Sequence, residues 1–238
     1  MSAKYVIFGA TGSIGSNLTL QLHKDKKEVF LVGRNENKLN ELSSKTGADF
    51  CIVDVLTENF TDNLKNNLKN IDIAGIAYCI GSIDLKSLRS TKREDFEKCF
   101  NLNFYPILDL IKLYQENLKK NNGSIVLFST VAVRKGFSNH SIISSVKGAI
   151  EGLTLSLASE FAPKIRVNCI APSITNSKIA EPLLKNKLMA DSIAKAHPMK
   201  RIGDGKDAAA MAKFLLTEES SWITGQIIGV DGGRSSLS

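Results

Sequence analysis

The chain has 238 residues, 43% of them hydrophobic and 23% charged, with a formal net charge of +7. That is the composition of one ordinary globular domain, long enough to bury a core without staples. No apolar run approaches the roughly 20 residues of a membrane helix, and the first strand begins too early for a secretory leader. The lysines are dispersed rather than gathered into a basic block, which argues against nucleic acid as a partner.

Taken in chain order, short apolar runs at 5–8, 29–32, 50–53, 73–79, 124–128, 166–170 and 226–230 predict seven strands. They are continuously apolar rather than alternating, as parallel strands covered on both faces must be. Helical patterns at 14–22, 38–44, 96–118, 144–161 and 207–216 lie between them. The alternation predicts an α/β fold, one single domain built on a doubly wound, parallel, seven-stranded sheet of Rossmann type. The least regular stretch, 172–205, carries Pro172, Pro182 and Pro198 and reads as a substrate loop or lid. The cysteines, Cys51, Cys79, Cys99 and Cys169, include no C-x-x-C pair and read as buried free thiols in a reducing cytoplasm. No metal site is expected, since His23 and His197 show no ligand spacing with cysteine or carboxylate. Trp222 reads as a packing anchor, and Tyr78, Tyr105 and Tyr114 as packing residues.

The segment Gly9-Ala10-Thr11-Gly12-Ser13-Ile14-Gly15 directly follows the first strand and opens the first helix. Glycines there let the backbone approach a pyrophosphate, whose charge the helix N-terminus meets. The second strand ends in Gly33-Arg34, with no carboxylate to hold ribose hydroxyls. Arg34 can instead pair with a 2′-phosphate, which favours NADP over NAD. Asp54, after the third strand, either contacts an adenine amine or caps the next helix.

These features, with Gly123 to Thr130, Lys147-Gly148-Ala149, Ile165 to Asn168, Ala171-Pro172, Ile223 to Gln226 and Val230 to Gly233, resemble the short-chain dehydrogenase/reductase family. They run in family order over essentially the whole chain. The resemblance implies an oxidoreductase for a carbonyl, alcohol or enoyl substrate, with NADP(H) ahead of NAD(H) as cofactor. It implies cofactor contacts from Gly9, Thr11, Gly12, Ser13, Ile14, Gly15, Arg34, Asp54, Val55, Gly81, Lys147, Pro172, Ser173 and Ile174. It also implies a symmetric homo-oligomer, a tetramer, paired through the helices around 96–118 and 142–161.

In that family an asparagine, a serine, a tyrosine and a lysine act together, the lysine lowering the tyrosine's pKa from its usual value of about 10. The positions here hold Asn103, Thr130, Ile143 and Lys147. Isoleucine transfers no proton, so the proton donor is altered. His140 lies on the same helical stripe as Ile143 and Lys147 and is the candidate replacement. Ser144, one turn from Lys147, could orient a substrate. Two other readings remain open: a catalytically silent cofactor-binding partner of an active homologue, and a lyase or isomerase that keeps the pocket.

Overall fold

In the computed structural model, which describes residues 2–237, the expected sheet forms with the expected strands. Lys4–Phe8 (β1), Val29–Gly33 (β2), Asp49–Ile52 (β3), Ile73–Tyr78 (β4), Ser124–Phe128 (β5), Arg166–Pro172 (β6) and a last strand Ile227–Val230 pair in parallel throughout. Two residue pairs, Thr175–Asn176 (β7) and Gly203–Asp204 (β8), make a separate small ladder, so the last strand is β9. The order in the large sheet is β3-β2-β1-β4-β5-β6-β9. The winding reverses between β1 and β4, and a crevice opens there beyond the carboxyl ends of the strands.

The strand sequences explain why both faces are covered. Along β1, Tyr5 and Ile7 point into one buried cluster and Val6 and Phe8 into the other. The first cluster is closed by Ser13–Lys24 (α1), Glu36–Thr46 (α2) and, later in the chain, Gly205–Leu216. The second lies under Phe60–Leu68 (α3), a helix absent from the sequence reading, and under Tyr105–Lys120 and Ser141–Phe161.

The single helix expected over 96–118 is two helices, Arg93–Asn103 (α4) and Tyr105–Lys120 (α5), broken at Phe104 (φ −121°, ψ −58°). Pro106 is the cause. It has no N–H to donate to the carbonyl of Leu102, so α4 cannot run on. The orphaned Leu102 carbonyl accepts instead from Tyr78 Oη at 2.7 Å, which ties α4 to the end of β4. The helix Ser141–Phe161 (α6) starts three residues earlier than expected, with His140 as its N-cap residue. The stretch 172–205 is not a bare loop. Beyond β7 it holds Glu181–Leu184 (α7) and Lys187–Lys195 (α8), the latter capped by Asn186, whose side chain accepts from the Met189 amide. It then returns through β8 to Gly205–Leu216 (α9).

Trp222 is not a packing anchor: it is 99% exposed. Tyr78 and Tyr114 are buried as expected, and Tyr105 is half exposed. All four cysteines are free, three of them buried. Among the described residues no helix is long and apolar enough to cross a membrane.

Candidate active site

One cleft of about 1320 Å³ runs along the carboxyl edge of the sheet, from Arg34 and Lys38 at one end to Phe137, His140 and Arg234 at the other. The glycine turn forms its floor. Gly9 adopts φ +75°, which a side chain would strain. A β-carbon on Gly15 would stand 2.3 Å from the Gly9 carbonyl oxygen, so α1 can start this close to β1 only with glycine at 15. No side chain caps α1 at Gly12, and Gly12, Ser13 and Ile14 line the cleft. This is the cradle a pyrophosphate needs. Ser13, in place of a further glycine, turns its hydroxyl away to the Asn176 carbonyl at 2.9 Å.

At the adenosine end Arg34 and Asp54 find each other, Nη1 to Oδ2 at 3.2 Å, at the cleft margin. Asp54 does not cap α3. Its other oxygen accepts from the Leu56 amide, well before that helix begins at Phe60. Val53 and Val55 flank it in the cleft wall.

At the other end α6 carries Ile143 and Lys147 to the wall. Lys147 is 6% exposed, and burial pulls its ammonium down to about 8. Its neighbours are thiols, Cys79, Cys99 and Cys169, which burial itself pushes up to about 12, 11 and 12 and so keeps uncharged at neutral pH. Among the described residues its one acceptor is the Phe128 carbonyl at 3.0 Å. An ammonium has three donors, so two remain for a ligand.

Asn103 is fully buried and does not line the cleft. Its amide holds the loop after β4, with Oδ1 accepting from the Ser82 amide at 3.3 Å and Nδ2 donating to Ser82 Oγ at 3.1 Å and to the Cys99 carbonyl at 2.9 Å. Asn103 and Lys147 nonetheless converge behind Gly81, at 3.2 and 3.4 Å from where a β-carbon there would sit. Thr130 lines the cleft, and its oxygen accepts from the Ala132 amide at 3.3 Å, which leaves the hydroxyl hydrogen free to donate. Ser129 is turned inward to Glu151 at 2.7 Å. Ser144 is spent on the Ala132 carbonyl at 3.0 Å.

Ile143 is 5% exposed and packs with Cys99, Ile142 and Val146. His140 lines the cleft but is only partly buried, with Nδ1 2.7 Å from the Ser138 carbonyl and its ring against Phe137. Pro172, Ser173 and Ile174 line the same cleft at the end of β6. The sequence reading missed His197, which is 3% exposed and reaches Ser173 Oγ with Nε2 at 2.8 Å. No local signal marks it, because its partner is 24 residues away in the chain. Arg234 was missed likewise; it stacks over the Phe137 ring at 5.3 Å and lines the cleft mouth.

The family model described as Enoyl-(Acyl carrier protein) reductase matches residues 9–235. Carbonyl reductase family member 4 of Xenopus laevis is 30% identical, over 98% of this chain and 98% of its own. The 3-oxoacyl-[acyl-carrier-protein] reductase FabG of Rickettsia typhi is 29% identical over 96% and 95%. Among solved structures, ElxO with NADP bound superposes with a TM-score of 0.90 at 29% identity, covering 99% of this chain and all of that one. The glycine cradle at the β1–β4 switch, the buried lysine on α6 and a match spanning nearly every residue agree, and the chain belongs to the short-chain dehydrogenase/reductase family.

Proposed function

We propose that the protein is an NADP(H)-dependent oxidoreductase for a carbonyl, alcohol or enoyl substrate, with a proton donor other than residue 143. The observation that carries the reading is Lys147, a buried ammonium with no carboxylate partner in the described structure and two spare donors on the wall of a cleft whose floor is an uncapped glycine turn. Burying such a charge is costly, and two hydroxyls of a ribose are what would satisfy it. The glycine turn and the α1 amides would hold the pyrophosphate, with Arg34 on a 2′-phosphate and Pro172, Ser173 and Ile174 beside the nicotinamide. When bound, the dinucleotide supplies or accepts a hydride.

The remaining chemistry belongs to this chain. Thr130 donates its free hydroxyl hydrogen to the substrate oxygen and orients it. Asn103 fixes the Gly81–Ser82 turn against which Lys147 rests. The acid is a histidine of the cleft wall, either His140 or the buried His197. Ile83, Leu85, Phe137, Ile179 and Leu183 make the substrate end largely apolar, which suits a substrate whose unreacting part is hydrophobic. The stretch 172–205 acts as its cover. Four unpaired thiols suit a cytoplasmic setting. The half-exposed Tyr105 and Leu155 on α5 and α6, and the bare Trp222, suit a symmetric homo-oligomer, a tetramer.

The silent-partner reading draws on the same Ile143, packed and apolar where a phenol would stand. Two measurements separate them. Fluorescence titration should give tighter binding of NADPH than NADH, and NADPH oxidation should be followed against a panel of apolar ketones and enoyl thioesters. Binding with turnover of a panel member supports the oxidoreductase. Tight binding with none supports the silent partner, and no dinucleotide binding sinks both.

A further inference from the structure

His197 is a buried histidine with both ring nitrogens engaged. Nδ1 is 2.7 Å from the Ile193 carbonyl, which can only accept, so Nδ1 carries a hydrogen in every protonation state. Nε2 is 2.8 Å from Ser173 Oγ. Ser173 is the first residue past β6. Its neighbour across the sheet is the segment after β5, because Phe128 pairs with Ile170 and the Ser129 amide donates to the Ile170 carbonyl at 2.8 Å. Strands lie about 4.8 Å apart, so Ser173 stands one strand over from Thr130, on the wall of the same cleft. Ser173 and His197 also line a smaller cavity of about 370 Å³, with Lys206, Asp207 and Asp231. The pair thus borders both the cleft and this second cavity.

We infer that Ser173 and His197 form a proton-delivery pair for the cleft, the serine hydroxyl giving its proton to the substrate oxygen and the imidazole replacing it. The inference rests on the oxidoreductase reading above. In the loaded pair His197 is an imidazolium. Nδ1–H donates to Ile193, Nε2–H donates to Ser173 Oγ, and the Ser173 hydrogen is left to point into the cleft. As the substrate oxygen gains negative charge it takes that hydrogen. The Ser173 O–H bond breaks while the Nε2 proton crosses to Oγ. The pair ends as a neutral imidazole accepting from the re-formed hydroxyl. One proton leaves the pair and no electron enters or leaves it. The imidazole recovers its proton through the smaller cavity.

Asp231 faces His197 from the end of β9; burial would raise its carboxyl, but hydrogen bonds from Ser235 and Gly233 and the charge of His197 hold it below the ordinary value. The other charged groups of that cavity are Lys206 and the pair Arg201–Asp207, joined at 2.6 and 2.9 Å and so spent on each other. On the cleft side the charged lining residues are Arg34, Lys38, Asp54, Lys147, Lys178 and Arg234. His140 has no comparable arrangement: it is partly exposed, and no side-chain hydroxyl bonds to it.

The test uses the full chain with 15N-labelled histidine and saturating NADP+, read by NMR across pH 5 to 9, with NADPH affinity measured in parallel. His197 Nε2 should titrate while Nδ1 stays protonated throughout. Ser173→Ala, a change too small to endanger the fold, should move the midpoint by about half a unit to one unit, the size of one hydrogen bond. On whichever ketone or enoyl thioester of the panel is turned over, kcat should fall as pH rises through that midpoint. Ser173→Ala and His197→Gln should each lower kcat by about 10²-fold and flatten that limb, with the NADPH Kd unchanged in His197→Gln. Failure of NADPH to bind overturns the underlying reading. NADPH binding with a His197 that does not titrate, or that loses its Nδ1 proton, overturns the pair alone. So does a collapse of activity in His140→Ala with His197→Gln intact.

Discussion

Residue 143 is where the proposed chemistry turns. Its side chain sits in an apolar cluster one turn from Lys147, so Ile143→Tyr would put a phenol on the cleft wall beside an ammonium. Ketone reduction with NADPH should rise by about 10²–10⁴ if the pocket is otherwise competent; steady-state assays on a small apolar ketone check it, and an unchanged rate would mean that the substrate oxygen does not reach residue 143. Lys147 carries its own signature. It titrates near 8 in the folded protein and at 10.5 when exposed. Between those values the unfolded chain binds the extra proton, so folding gains stability as pH rises through the window. Below pH 8 both states are charged and the full cost of burial is present, about 3 kcal/mol. Lys147→Met removes that cost together with the Phe128 hydrogen bond, worth about 1 kcal/mol. Denaturant melts should find the variant more stable by about 1–2 kcal/mol at pH 7, with the advantage shrinking toward pH 10, even as the variant loses catalysis. Arg34 decides cofactor choice in this reading. Its ion pair with Asp54 is exposed and weak, so the guanidinium is available. Arg34→Ala should cost NADPH about tenfold in affinity and leave NADH unchanged.

At the level of elements, the glycine turn and the end of α4 show how local sequence positions the site. A methyl at 15 collides with the Gly9 carbonyl at 2.3 Å, and both partners are backbone that cannot give way. Gly15→Ala should therefore lower stability by about 1–3 kcal/mol and weaken NADPH binding, read by thermal melts and fluorescence titration; an unperturbed variant would mean that the β1–α1 turn is looser than it looks. The turn was legible because its three glycines are close in sequence and bracketed by a strand and a helix. The break between α4 and α5 was not read, although Pro106 is visible in the chain. Apolar periodicity continues straight across it, and the compensating bond from Tyr78 to Leu102 comes from a distant strand. The stretch 172–205 reads as irregular in the sequence, because α7 and α8 are too short to leave a helical period and carry no fully buried residue.

For the whole molecule, the proposed oligomer rests on the exposed apolar groups. Trp222 is the one tryptophan and is 99% exposed, while Tyr105 and Leu155 lie half bare on neighbouring helices. A tetramer should scatter light as a multiple of the 25.9 kDa chain at micromolar concentration, and Trp222 emission should be blue-shifted by burial and return to the red when dilution dissociates it. A monomer with red emission would remove the oligomer from the reading. The amino-acid sequence by itself determined the winding of the sheet, the glycine turn and the place of Lys147 on its helix, because each is written in contiguous residues: continuous apolar runs, glycines at a strand end, a lysine at a fixed spacing on one helix. Only the tertiary structure decided which polar groups are spent and which are free. Arg34 meets Asp54 across 20 residues, Asn103 is turned inward to Ser82 across 21, Ser129 to Glu151 across 22 and Ser173 to His197 across 24. Parallel crossovers bring strand ends together at one edge of a sheet only after a helix has intervened. The hydrogen bonds that define this site therefore join residues that no local pattern connects.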